Sequence, residues 1–99
     1  MKIPKKINIG GIDFKIEIIK DISNDLNIAE YRGKVLFKKD KILILDSYSN
    51  KGKFRTLLHE IIHILDDNYR LELTEELIIR LASGLYQVLK DNKLLKEGD

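Results

Sequence analysis

The sequence predicts an α+β fold: a small, mostly antiparallel sheet of about four strands in two hairpins, followed by two helices. Three observations predict it. Apolar residues alternate with a period of two through the first half of the chain, in runs broken by turn-forming pairs. Beyond Lys53 the apolar spacing changes to three and four, the period of a helix that packs one side against a core. No linker-like stretch or internal repeat divides the 99 residues, which are read as one domain: 1–49 the sheet, 50–92 the two helices, 93–99 a frayed tail.

Each element has its own signal. Ile7 and Ile9 alternate before Gly10-Gly11, and Ile12, Phe14, Ile16 and Ile18 alternate after it, which predicts a hairpin turned by the glycine pair. Residues 21–28 are rich in turn formers and predict no regular element. A second hairpin runs through Tyr31, Val35 and Phe37 to Lys38, turns at Lys39-Asp40 and returns over Lys41 to Asp46 with Ile42 and Ile44 on one face. Gly33 is a candidate bulge or point of close approach. After a polar loop, Phe54, Leu57, Leu58, Ile61, Ile62 and Leu65 predict a buried helix from Lys53 to Asp67. In the last helix Thr74 is the expected N-cap, and Glu75-Glu76 suit the positive end of the helix dipole. Ile78, Leu81, Ala82, Leu85, Val88 and Leu89 form its apolar stripe.

Composition excludes several classes of function. With 43% hydrophobic and 34% charged residues the chain is globular, and no apolar run approaches the ~20 residues that span a bilayer. A net charge of +2, with lysines dispersed among acids, argues against a nucleic-acid groove. The N-terminal MKIPKKINIGG lacks the apolar core of a signal peptide, so a cytoplasmic location is expected. There is no cysteine, so any metal must be held by His, Asp or Glu.

The stretch HEIIH, residues 59–63, uses both histidines of the chain. On a helix His59 and His63 lie about 40° apart on one face, where two imidazoles can converge on one ion. Glu60 stands about 100° further round, beside the ion, where a carboxylate can take a proton from activated water. The competing reading is a buried helix whose histidines satisfy backbone groups. Two polar rings on so apolar a helix are costly without a shared partner, which favours the metal.

Zinc then needs a third protein ligand, and it must be a carboxylate. Asp67 falls on the histidine stripe but about 6 Å too far along the axis, so it is cast as a residue orienting an imidazole or ending the helix. Glu75 borders the apolar face of the last helix, whereas Glu76 points nearly opposite. Glu75 is therefore the expected ligand, with Glu76 the runner-up.

TLLHEIIHILDD (56–67) followed by LTEELIIRLASGLYQVLKDN (73–92) resembles small zinc metallopeptidase-like proteins of phages and mobile elements, related to the ImmA/IrrE group and the gluzincins. In that group a glutamate from a following helix completes the zinc site. The run Glu75, Ile78, Leu81, Ala82 is similar to the segment around that ligand, which supports Glu75. The resemblance covers the C-terminal half. It implies one zinc ion per chain and peptide hydrolysis with Glu60 as general base. A peptide is expected to add beside the strand around Ile42–Leu45, taken as a sheet edge. Tyr31, Tyr69 and Tyr86 are all candidates for the oxyanion donor. The alternative function is a zinc-stabilised protein- or peptide-binding module without turnover, for which Glu60 has no use.

Overall fold

The two glycines of the first turn adopt φ of +62° and +88°, conformations that a Cβ disfavours. They join β1 (Lys6–Ile9) to β2 (Ile12–Ile19) with Ile9 opposite Ile12, as the composition of the turn predicts. The Asn8 carboxamide braces the turn: its oxygen accepts from the Gly11 N–H at 3.1 Å and its nitrogen donates to Asp13 at 3.0 Å. The computed structural model describes residues 3–20, 32–46 and 49–94. The turn-rich stretch 21–28, Tyr31 and the tail beyond Leu94 lie outside the described residues.

The second hairpin is β3 (Gly33–Leu36) and β4 (Lys41–Leu45). It turns through a 3-10 segment at Phe37–Lys39 and through Asp40, whose φ of 51° is a left-handed conformation that Asp tolerates. Phe37 therefore leaves the sheet one residue after Leu36 and is exposed.

The hairpins join by a parallel pairing of β2 with β4, Ile16 opposite Ile42 and Ile18 opposite Ile44, so the strand order is β1-β2-β4-β3. This overturns the expectation that Ile42–Leu45 is an edge. β4 has a strand on each side, and its backbone donors and acceptors are committed to β2 and β3. Ile42, Leu43 and Ile44 are all buried. The unbroken apolar run Ile42–Leu45 is the mark of a strand covered on both faces, and it outweighs the alternation read from Ile42 and Ile44. The edges of the described sheet are β1 and β3.

α1 (Asn50–Tyr69) starts earlier and ends later than its apolar spacing predicts, because capping sets its limits. The Ser49 hydroxyl accepts from the Gly52 N–H at 3.2 Å. At the other end Arg70 turns left-handed (φ 50°) and returns its N–H to the Asp66 carbonyl. α2 (Glu75–Asp91) opens at Thr74, whose hydroxyl accepts from the Leu77 N–H at 3.2 Å, as expected.

The core has two layers with α1 between them. Ile9, Phe14, Ile16, Ile42 and Ile44 of the sheet enclose Leu57 and Ile64. On another side of α1, Leu58 and Ile62 meet Ile78, Ala82 and Tyr86 of α2. Burying each large aliphatic side chain contributes about 1.5–3 kcal/mol, which holds α1 against both neighbours. The stripe of α2 is narrower than expected: Leu81, Leu85 and Val88 are exposed, since α2 covers a helix rather than a sheet. Among the described residues no helix is long and apolar enough to cross a membrane.

Gly33 is the point of close approach between α1 and the sheet. A Cβ there would stand 2.6 Å from the Thr56 methyl and 2.8 Å from the Leu43 carbonyl oxygen. Gly33→Ala is expected to lower stability by about 1–3 kcal/mol, read as a reduced urea midpoint. An unchanged midpoint would show that α1 does not press on β3 here.

Candidate metal centre

α1 and α2 run antiparallel: Phe54 near the start of α1 meets Tyr86 near the end of α2, and His63 meets Glu75 at the start of α2. This pairing brings three polar side chains together. His59 Nε2 is 2.7 Å from Glu75 Oε1, His63 Nε2 is 2.9 Å from Glu75 Oε2, and the two Nε2 atoms are 3.2 Å apart. The imidazole rings tilt at 54° with centroids 4.9 Å apart, so their edges converge.

Glu75 is placed by Asp66. The Asp66 carbonyl accepts from the N–H groups of Arg70 and Leu71, and its carboxylate accepts from the Leu73 N–H at 2.9 Å. One residue thus holds three donors of the short connection, those of Arg70, Leu71 and Leu73, and Thr74 then starts α2 with Glu75 in its first turn. Glu72 completes the reversal with φ of 57°.

Hydrogen atoms can satisfy this cluster in one way and a cation in another. If both imidazoles carry hydrogen on Nε2, each donates to its own Glu75 oxygen, and the two nitrogens sit side by side at 3.2 Å. If one Nε2 instead accepts from the other, its lone pair opposes a carboxylate oxygen. A cation shared by the two Nε2 atoms and the Glu75 carboxylate would use the lone pairs of all three side chains. Tetrahedral zinc with bonds of ~2.0–2.1 Å sets its ligand atoms ~3.3 Å apart, close to the 3.2 Å between the two Nε2 atoms and longer than the histidine–Glu75 contacts of 2.7 and 2.9 Å. Two imidazoles and a carboxylate are a donor set that zinc accepts. Burial, opposed by the nearby Glu75 charge, holds His59 below its ordinary pKa and so favours the neutral ring that a metal needs.

Glu60 points to the other side of the same turn, into the seam between α1 and β3. It is 7% exposed, and its Oε2 lies 3.4 Å from where a Gly33 Cβ would stand. Burial, and secondarily the Glu75 charge, pushes its pKa up to about 8. A dication held by His59, His63 and Glu75 favours the ionised carboxylate and opposes that shift. His59, Glu60 and Glu75 share a cleft of about 490 Å³, whose wall includes Arg32, Gly33, Arg55 and Ser83.

The remaining candidates separate. Glu76 is exposed and pairs with Arg80 one turn along α2, away from the histidines. Asp67 is exposed and bonds neither imidazole. The supporting acid is its neighbour Asp66, which acts on the connection and not on a ring. Its signal was its position four residues before the reversal at Arg70. Tyr69 is 62% exposed at the end of α1. Tyr86 is buried under Phe54 and Arg55, and its hydroxyl has no partner among the described residues. Tyr31 lies outside the described residues.

Two outcomes follow from this geometry. An acid whose pKa is raised by folding opposes folding as pH climbs from its unfolded value of 4.5 towards 8. In metal-free protein Glu60→Gln should therefore match the parent near pH 5 and exceed its stability by up to ~4 kcal/mol at pH 8, in paired urea titrations. A constant difference across that range would count against the buried acid. Asp66→Ala should cost about 1–3 kcal/mol and weaken zinc binding, because it frees the connection that places Glu75; calorimetric titration with zinc measures the second effect. Comparison with protein-family models, curated proteins and solved structures finds no match, so the functional reading rests on the residues themselves.

Proposed function

We propose that this protein is a zinc-dependent, metallopeptidase-like hydrolase of peptide bonds. The observation that carries the reading is the convergence of His59, His63 and Glu75, with the Glu60 carboxyl beside His59 on the same turn of α1. The three converging residues would hold one zinc ion, which would supply Lewis acidity towards a carbonyl and towards water. Glu60 takes a proton from the attacking water and returns it to the departing nitrogen. Its burial supports this role, since it raises the carboxylate's affinity for a proton above that of an exposed acid. An extended peptide pairs with β3 (Gly33–Leu36), an edge of the sheet among the described residues, which reaches the cleft at Gly33.

A zinc-stabilised binding module uses the same ligands without turnover. It has no need of an acid whose burial opposes folding, so the position of Glu60 favours the hydrolase. Purified protein is expected to carry about one zinc ion per chain, and His59→Ala or His63→Ala to lose it. Glu60→Gln should keep zinc and lose at least ~10²-fold in cleavage of a peptide library followed by mass spectrometry. Undiminished cleavage by that variant removes Glu60 as the base. Bound zinc with no cleavage by the parent protein favours the binding module, and protein that takes up no zinc overturns both readings.

A further inference from the structure

We propose that Arg55 is the carboxylate anchor of the cleft. The preferred substrate then carries a free carboxylate, at its C-terminus or on an Asp or Glu side chain, a few bonds from the carbonyl presented to the metal ligands. This inference rests on the zinc-hydrolase reading and adds the substrate class to it.

Arg55 lies four residues before His59, as His59 lies four before His63, so the three follow one stripe of α1. Each step is about 6 Å along the axis and about 40° around it. The Arg55 side chain reaches across the groove to α2: its guanidinium carbon is 5.3 Å from the centre of the Tyr86 ring. Tyr86 is 4% exposed and is backed by Phe54, with ring centroids 6.0 Å apart. The cation is thus held on a fixed platform in the wall of the cleft that contains His59, Glu60 and Glu75.

A guanidinium that lies flat on a ring keeps its edge for another partner. Stacking on an aromatic ring uses the planar π-surface, whereas the N–H donors point outward in the plane. Arg55 makes no hydrogen bond or ion pair with a carboxylate among the described residues, although the cleft wall contains two. A planar fork of donors one turn from the metal ligands matches a carboxylate in both geometry and charge.

The test uses zinc-loaded protein and two hydroxamates that differ in a carboxylate: acetohydroxamate, and the monohydroxamate of succinic acid. The succinate probe should bind about tenfold tighter or more, the gain of a charge-assisted pair. Arg55→Gln should abolish that preference while still binding acetohydroxamate. Arg55→Lys should restore only part of it, since an ammonium lacks the planar fork. Equal affinity of the parent protein for the two probes overturns the anchor. So does a variant that weakens both probes alike, which would mark Arg55 as a cover for Tyr86. Failure to bind zinc and acetohydroxamate at all is a different outcome, and it overturns the hydrolase reading together with the anchor. Peptide pairs with free or amidated C-termini, and with Glu or Gln side chains, then identify the source of the carboxylate by whichever pair Arg55→Gln ceases to discriminate.

Discussion

The structure depends on the burial of α1 against two neighbours at once. Leu57 and Ile64 face the sheet, and Leu58 and Ile62 face α2. A helix gripped on two sides can neither rotate nor slide without exposing apolar surface on one of them. Between these two sides runs a more polar strip of α1 that carries Arg55, His59 and His63. Glu60 falls between this strip and the sheet-facing side, which explains how one turn of helix holds both half-exposed imidazoles and a nearly buried acid.

The polar groups of the cluster oppose the fold that places them. A carboxyl at Glu60 is buried where its protonated form is favoured, and two imidazole nitrogens crowd against each other and against the Glu75 carboxylate. Such conflicts persist when the surrounding packing over-determines the geometry, and they concentrate at functional sites. Gly33 and Asp66 show how the packing does so. The absence of a Cβ at Gly33 lets α1 press on β3 beside Glu60, and Asp66 gathers the N–H groups that follow α1 so that α2 begins with Glu75 across from the histidines.

Much of this was legible in residue spacing. Gly10-Gly11 specifies its turn because few other residues take positive φ twice in succession, and Thr74 specifies a helix start because its hydroxyl replaces a missing backbone acceptor. These are local facts, decided within a few residues. The place of β4 in the sheet was not legible in the same way, since pairing with β2 is a non-local choice. The apolar run Ile42–Leu45 hinted at cover on both faces, yet the alternation of Ile42 and Ile44 reads equally well as an edge. For the same reason Leu81, Leu85 and Val88 looked like core. The period of a helix locates an apolar side but not the width of the surface waiting for it.

By itself the sequence determined the order of the elements, the turn at Gly10-Gly11, and the helical step that puts His59 and His63 on one side with Glu60 beside them. Helix geometry alone settles those relations. Tertiary structure decided what stands opposite that side. It took Glu75 rather than Glu76, because only Glu75 faces α1 when Ile78, Ala82 and Tyr86 are buried. It made Asp66 rather than Asp67 the supporting acid, because the N–H groups in need of an acceptor belong to the reversal at Arg70. It also set Arg55 over Tyr86, a meeting of residues 31 positions apart that follows from the antiparallel packing of α1 and α2.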